Sequence, residues 1–281
     1  MTPEETRGRL GPFRDKALAR GIPVDEVERW MDTARPCAIL AKDGDGDGPV
    51  VGRFGGPLLL PVGTPHPSHP FVASLDLAAL PADATDLPLP ADGRLLLFAY
   101  PEDEGGGADM GHVLYVPADA AVTERDKDAW PLYEIDEYRE VFERFPEEPL
   151  RATAEVSLPY HHLVELPEPP YADVLPGHPH AEELAEVWDE TYDDIAASGP
   201  LQLGGYASQE AVDVDPVATA VARATGRARP ALEEVADWVL LADWSPDITG
   251  QEGATVHWVI RRGDLAAHRF DRAFTSVFWN P

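Results

Sequence analysis

The stretch Phe71-Val-Ala-Ser-Leu-Asp76 is the key to the fold of this chain, because a similar stretch, Trp238-Val-Leu-Leu-Ala-Asp243, follows in the last third. Each is a short apolar run that ends in an acid and is bounded by turn-forming residues, which is typical of a buried β-strand. A glycine pair precedes each strand, Gly55-Gly56 in one half and Gly204-Gly205 in the other. Two interpretations stay open: an internal duplication, or the general likeness of proteins built from strands and turns.

Other short apolar runs predict further strands. They lie at residues 37–41, 57–60, 94–100, 112–116, 152–158, 255–261 and 273–279. Apolar residues recur at helical spacing over residues 24–31, 179–198 and 216–225. Because strands come first, an acidic helical stretch follows and strands then return, we predict an α+β, β-rich fold. Its sheets should be mixed or mostly antiparallel, without regular βαβ alternation.

The domain organisation is expected to be a single domain over residues 1–281. Its parts should be a helical N-terminal arm (1–35), a first strand set (36–125), an acidic helical insertion (126–200) and a second strand set (201–281). Thr2-Pro-Glu-Glu5 predicts the start of the arm, because threonine can cap a helix and the glutamate three residues later completes a capping box.

The charge of the chain is strongly negative, with 51 Asp and Glu against 22 Lys and Arg, a formal charge of -29. Such a chain repels phosphate, so nucleic acid and anionic membranes are not expected partners. Half of the acids lie in residues 101–200. The predicted helix at 179–198 carries seven of them, Glu182, Glu183, Glu186, Asp189, Glu190, Asp193 and Asp194. Three interpretations stay open: a solvated face, a halophilic adaptation for solubility, or a docking surface for a basic protein.

Targeting and metal-binding signals are weak throughout the chain. No apolar run is long enough to span a bilayer and no signal peptide is apparent, so a cytoplasmic location is expected. The single cysteine, Cys37, cannot form an internal disulfide or a cysteine-based zinc site. Asp43-Gly-Asp-Gly-Asp47 resembles the start of a calcium loop, but Phe54 stands where its last ligand belongs. The histidines lack the usual spacing of metal ligands, so neither a metal nor a cofactor is expected.

No catalytic signature is found in the sequence. Ser208 lacks the glycine that a nucleophile elbow requires two residues further on. If a site does exist between the two strand sets, glycines would allow close backbone approach, and acids with a histidine would supply acid–base chemistry. The candidate ligand-binding residues are Gly56, Asp76, Gln209, Asp243, Glu252 and His257.

Six stretches, taken together and in this order, resemble a bacterial family of unknown function, the YwqG-like family (DUF1963). They lie at residues 52–63, 71–81, 89–100, 203–209, 238–243 and 250–260. Ser74 stands where the family usually has glutamine. The resemblance implies a β-rich α+β fold and no established activity, cofactor or catalytic residues. Some relatives resemble components of toxin–immunity systems, which implies protein binding.

The sequence therefore favours a non-enzymatic, protein-binding module, immunity-like in character, whose acidic face docks a basic protein partner. The alternative is a small-molecule binder or a hydrolase-type enzyme with its site between the two strand sets. Oligomeric state cannot be inferred from these patterns.

Overall fold

The computed structural model describes residues 2–102, 109–208 and 213–279. Within these ranges the chain forms eight α-helices and fourteen strands. The helices are α1 (Pro3–Arg9), α2 (Gly11–Ala19), α3 (Val24–Met31), α4 (Asp136–Phe142), α5 (Ala181–Ile195), α6 (Pro216–Thr225), α7 (Leu232–Ala236) and α8 (Arg262–Ala266). The strands are β1 (Arg35–Lys42), β2 (Val50–Phe54), β3 (Leu58–Pro61), β4 (Phe71–Asp76), β5 (Arg94–Ala99), β6 (Gly111–Val116), β7 (Val122–Arg125), β8 (Pro149–Ser157), β9 (Leu163–Glu165), β10 (Ala172–Val174), β11 (Leu201–Gly204), β12 (Trp238–Trp244), β13 (Ala254–Arg261) and β14 (Phe274–Trp279).

Ten of the strands form one antiparallel sheet in the order β14-β13-β12-β11-β1-β8-β2-β4-β5-β6. The sheet curls until its two edges meet. The backbone N–H of Met110, next to β6, donates to the carbonyl oxygen of Thr275 on β14 at 3.1 Å. The indole N–H of Trp258 donates to the carbonyl oxygen of Phe98 at the same distance. The sheet is thus nearly closed into a barrel, and the predicted α+β class with mostly antiparallel strands is confirmed.

The sheet contains two four-stranded meanders with matching topology, β2-β4-β5-β6 and β11-β12-β13-β14. Each meander follows one further strand along the chain, β1 before the first and β8 before the second. These two leading strands are exchanged: β1 pairs with β11 and β8 pairs with β2, and the two also pair with each other. The sequence predicted two separate strand sets with an acidic insertion between them. Strand β8 belongs to that insertion, yet it lies at the centre of the shared sheet.

Strand register also repeats between the two meanders. Strand β4 has a bulge between Phe71 and Ala73, and β12 has one between Leu240 and Ala242. Both glycine pairs have positive φ, at 55° and 81° in the first half and at 68° and 72° in the second. Local irregularities in the same places favour the duplication interpretation. Counting from the bulges, the counterpart of Asp243 is Ser74, so the pairing of Asp243 with Asp76 that the strand endings suggested is wrong.

Side chains alternate between the interior and the outer face of the barrel. Trp244 and Trp258 point into the large interior core, whereas Asp243 and His257, on the same two strands, point outward. On β13, Val259 therefore shares the outer face with His257, whereas Trp258 lies on the inner face.

Three groups of secondary-structure elements cover the outer face of the large sheet. The helical arm and α5 pack together over one side, with Phe13, Trp30 and Trp188 in their shared core. The expected capping box at Thr2 and Glu5 is present. Strand β3 pairs with β7, and this small sheet covers the first meander through an apolar cluster that includes Leu60. Helix α6 packs on Val259 of the second meander.

Candidate functional site

A cleft of about 470 Å³ lies on the outer face of the second meander, beside the C-terminal half of α5. Its walls come from α5, from the loops that precede β11 and β13, and from the end of β14. The lining side chains are mostly hydroxylic, aromatic or acidic: Tyr160, Asp189, Tyr192, Ser198, Gly199, Ser208, Ser245, Glu252, Gly253, Ala254, Thr255 and Phe278. The cleft lies between the acidic helix, which the sequence favoured as a docking face, and the second strand set, which was expected to form one side of the alternative ligand site.

A row of polar residues crosses the outer face of the sheet behind this cleft. Gln202 lies opposite Asp243, which lies opposite His257, which lies opposite Ser276. All four are buried, and His257 is only 1% exposed. Burying a polar group destabilises the fold unless that group is hydrogen-bonded, so each residue of this row needs a hydrogen-bond partner.

Asp243 is the centre of the row. One oxygen, Oδ2, accepts the backbone N–H of Ser208 at 2.8 Å and the Ser208 hydroxyl at 3.1 Å. The Nε2 of His257 lies 3.7 Å from the same oxygen and 3.4 Å from the Ser208 carbonyl oxygen. Burial raises the pKa of the Asp243 carboxyl above its ordinary value, and the bonds from Ser208 and the nearby imidazole oppose that rise.

Ser208, Asp243 and His257 are the residue types of a catalytic triad, but their order differs. In a triad the imidazole stands between the hydroxyl and the carboxylate and removes the hydroxyl proton. Here the Asp243 carboxylate accepts the hydrogen bond of the Ser208 hydroxyl, and the imidazole Nε2 lies 3.4 Å from the Ser208 carbonyl oxygen. The arrangement anchors the segment after β11 and leaves Ser208 on the wall of the cleft.

Gln202 fixes the same segment from its other end. Its amide Nε2 donates to the carbonyl oxygens of Gly204 and Tyr206, each at 2.8 Å. Tyr206 in turn donates its hydroxyl to the carbonyl oxygen of Thr33 and its N–H to the Ser157 hydroxyl. The backbone that leads to Ser208 is therefore held by the helical arm, β8 and β11 together.

Two carboxylates from different walls face the cleft. Asp189 extends from α5 and is exposed, while Glu252 lies in the turn before β13. The Gly250 N–H donates to Glu252 at 2.9 Å and lowers the pKa of that carboxyl, which stays ionised at neutral pH. None of the described lining residues is a lysine or arginine. The cleft is thus suited to a cation.

The acidic face of α5 is divided by its neighbours. Glu190 contacts Lys16 at 2.8 Å and Arg20 at 2.6 Å, and Glu186 contacts Arg20 at 3.1 Å. Lys16 lies on α2 and Arg20 directly follows that helix, so both belong to the arm. The seven acids of this helix therefore do not form one uniform docking face. The arm partly neutralises Glu186 and Glu190, whereas Asp189 faces the cleft.

The residues predicted for a ligand site are only partly brought together. Asp243 and His257 are neighbours, and Glu252 lines the adjoining cleft. Asp76 lines a different depression of about 310 Å³, and its carboxylate accepts the Ala78 N–H at 3.0 Å. Gly56 follows β2, in the first meander. Gln209 lies outside the described residues.

Several residues at the site were missed by sequence reasoning. Gln202 lies on a strand that was not predicted, and Tyr160 lies in a segment without a motif. Tyr192 and Ser276 lie on elements that were predicted, the helix at 179–198 and the strand at 273–279, but neither was chosen as a ligand-binding residue. The alternation of side chains in the strand at 273–279 could have indicated that Ser276 points outward, because every second residue of a strand lies on the same face. Its neighbour across the sheet, however, depends on the order of the strands.

Neither a metal cluster nor a membrane-spanning helix is present among the described residues. Across the parts of the chain that the structure describes, no three His, Cys, Asp or Glu side chains converge as a metal cluster would. Asp43, in the calcium-like stretch, is held by Arg151 at 2.7 Å. None of the helices within 2–102, 109–208 and 213–279 has the length and apolar character needed to cross a bilayer.

Comparison with known proteins gives one result. No curated protein matches this chain. A family model matches residues 52–277, which include both meanders, the cleft and the polar row. This match covers most of the chain and includes all six stretches on which the resemblance was based. The chain therefore belongs to the family described as Domain of unknown function (DUF1963).

Proposed function

We propose that the protein is a binding module that captures a basic segment of a partner protein and accepts one lysine or arginine side chain in the cleft. The observation that carries this proposal is the placement of Asp189 and Glu252 on separate walls of one cleft. Two carboxylates on different sides can both contact one guanidinium or ammonium group. They would then orient the bound side chain as well as attract its charge.

The other lining groups suit the same ligand. Hydroxyl oxygens of Ser198, Ser245 and Thr255 can accept the N–H groups of a bound cation. The rings of Tyr160 and Tyr192, 6.1 Å apart, offer aromatic faces that attract a cation. The net charge of -29 would speed the approach of a basic partner at low salt.

The rest of α5 supports recognition around the cleft. Asp193 is one helical turn beyond Asp189 and therefore lies on the same flank. The flank that contacts Lys16 and Arg20 is already partly neutralised. An immunity-like role, in which the partner is a basic toxin, is the more specific form of this proposal.

A second candidate is the binding of a small cationic molecule. A volume of about 470 Å³ lies within the usual range for small-ligand sites, roughly 300–1,000 Å³. Binding is favoured over hydrolysis, because the Ser208 hydroxyl donates to a carboxylate and its contact with the imidazole is through the backbone.

The test compares two charge-matched double variants. In the cleft variant, Asp189→Asn is combined with Glu252→Gln. In the control variant, Glu182→Gln is combined with Asp194→Asn, two exposed acids of α5 that do not line the cleft. A partner is first captured on the wild-type protein from a lysate of the source organism at low salt and identified, and its affinity for each variant is then measured by calorimetry.

We expect the cleft variant to weaken binding of a basic partner by more than about tenfold and the control variant by less than about threefold, because only the cleft acids contact the bound cation directly. Equal weakening by both variants would show general electrostatic attraction and contradict the role of the cleft. Titration with spermidine tests the second candidate: saturable binding that the cleft variant loses, with no protein partner captured, would replace the first proposal by the second.

A further inference from the structure

A small cavity lies between β9 and the helices α6 and α7. Its volume is about 80 Å³, and among the described residues it shares no lining side chain with the cleft. Two polar side chains that line it come from different segments. His161 lies in the loop between β8 and β9, and Asp215 is the capping residue at the start of α6. The cavity is therefore separate from the site proposed above.

The walls of this cavity are fixed by main-chain contacts. Leu163 on β9 forms an isolated β-bridge with Val214, and its N–H donates to the carbonyl oxygen of Asp213 at 2.7 Å. The Oδ1 of Asp215 accepts the N–H of Val217 at 2.9 Å, which holds that carboxylate in place. A site whose walls are already ordered loses little conformational entropy when a ligand enters.

His161 is buried without a hydrogen bond. The residue is only 6% exposed, and its Nδ1 has no hydrogen-bond partner among the described residues. Its Nε2 lies 4.0 Å from Oδ2 of Asp215, which is beyond hydrogen-bond distance. Because a buried polar group without a partner destabilises a fold, this imidazole is suited to receive a hydrogen bond from a bound molecule.

The gap between these two side chains has the size of one oxygen atom. An oxygen about 2.8 Å from each can bridge two atoms that are 4.0 Å apart. Burial lowers the pKa of His161, against the effect of Asp215, so the imidazole is mostly neutral at neutral pH. A neutral imidazole with its proton on Nε2 donates one hydrogen bond, and the carboxylate accepts one. A hydroxyl group, which both accepts and donates, satisfies the two together.

The remaining wall of the cavity is mostly apolar. Leu163, Val214, Leu232 and Val235 contribute to it, and all four are half-buried, so the cavity can be reached from solvent. One water needs only about 10–15 Å³ of such space, whereas sites for drug-sized ligands begin at roughly 300 Å³. A volume of about 80 Å³ therefore suits a single ring or a short branched chain.

We propose that this cavity binds a small neutral molecule with an apolar body and one hydroxyl group, such as a phenol or a short alcohol. The hydroxyl bridges Nε2 of His161 and Oδ2 of Asp215, and the apolar body lies against the wall formed by β9, α6 and α7. Asp215 and Glu165, which also lines the cavity, repel an anion. An ammonium group has no lone pair with which to accept the N–H of His161.

The test is an NMR titration of the full chain with three probes: phenol, benzene and benzylamine. We expect phenol to shift the methyl signals of Leu163, Val214, Leu232 and Val235 in a saturable way. Benzene should bind at least about threefold more weakly, because it leaves the two polar groups unpaired. Benzene binding as tight as phenol, a stronger response to benzylamine, or no saturable shift of these methyl groups would each overturn the proposal.

Two variants test the bridge through the ratio of phenol affinity to benzene affinity. His161→Phe keeps a ring and removes both nitrogens, while Asp215→Asn keeps an oxygen for the Val217 N–H and loses the charge. Each should weaken phenol binding at least about fivefold and abolish the preference over benzene. His162→Gln changes a neighbouring histidine that does not line the cavity, and it should change phenol affinity less than about twofold.

The cleft variant described above should bind phenol as the wild type does, because the two sites share no described lining residue. A preference for phenol that survives in His161→Phe, or a large loss in His162→Gln, would contradict the bridging role of His161. If His161→Phe fails to fold, the comparison of phenol with benzene on the wild type and on Asp215→Asn decides the result.

Discussion

The two meanders have the same backbone register, but the corresponding rows on their outer faces differ: one is polar throughout and the other is half apolar. In the second meander the row is Gln202, Asp243, His257 and Ser276. At the corresponding positions of the first meander the row is Arg53, Ser74, Leu96 and Leu114. The β3–β7 sheet covers Leu96 and Leu114 of the first row, whereas the second row adjoins an open cleft. One scaffold thus provides a covered face and a polar face, and the polar face is the candidate site.

The sharpest way to break this comparison is to transfer the polar residue to the covered face. Leu96→Asp should destabilise the fold by about 4 kcal/mol, because it buries a carboxylate that has no partner under the β3–β7 sheet. The reverse change, His257→Leu, should cost about 1 kcal/mol, since Asp243 keeps both bonds from Ser208. Urea unfolding measures both values. Similar costs would contradict the assignment of one covered and one polar face.

The second prediction concerns the acceptor at the centre of the polar row. Asp243→Ala should cost about 3 kcal/mol, because the Ser208 N–H and hydroxyl lose their acceptor. Asp243→Asn should cost about 1 kcal/mol, because an amide oxygen can still accept. The equivalent substitution Ser74→Ala in the first meander should change stability by less than about 0.5 kcal/mol.

The pH dependence of the same variants gives a further check. Burial raises the folded-state pKa of Asp243 above its unfolded value, so the folded state binds the proton more tightly. As the pH falls through the raised pKa, the wild type should therefore gain stability relative to Asp243→Asn. The measurement is the difference in the free energy of unfolding between the wild type and Asp243→Asn at pH 7 and at acid pH. If this difference does not change with pH, the Asp243 carboxylate is not both ionised and desolvated in the folded protein.

The smallest expected effect is the difference in stability between alanine substitutions at Gly205 and at Gly56, one glycine from each pair. Gly205 has a φ of 72°, and an added Cβ would lie 2.8 Å from the Cys37 Cβ and 2.9 Å from the Ser157 Cβ. Gly56 has a φ of 81°, but its added Cβ would meet the flexible side chain of Arg53. Gly205→Ala should therefore cost about 2 kcal/mol and Gly56→Ala about 1 kcal/mol. Thermal unfolding compares them, and a larger cost at Gly56 would contradict this account.

Much of the secondary structure was predictable because local patterns suffice for it. Helix α6 runs from Pro216 to Thr225 as expected, with Pro216 in its first turn and Gly226 in the left-handed conformation at its end. Strands β4 and β12 were found from their apolar runs. Strands β2 and β11 were missed, because each is short and contains glycine, and a glycine weakens the strand pattern.

The candidate site was predictable only in part. Asp243 and His257 were singled out from strand positions, and the register places them opposite each other. Nothing local indicates that Ser208 would bond to Asp243, or that His161 would lie beside Asp215, because the members of each pair are far apart in the sequence. The acidic helix was recognised, but its pairing with Lys16 and Arg20 depends on how the arm folds back.

The amino-acid sequence by itself determined the strand-rich class, the helical ends, the negative charge and the family. These depend on periodicity, capping and composition, which act over a few residues or over the whole chain. Only the tertiary structure decided that the leading strands are exchanged, that Ser74 and not Asp76 corresponds to Asp243, and that Asp189 and Glu252 face one cleft. Such contacts depend on the order and register of strands in the sheet, which long-range packing sets and no local pattern encodes.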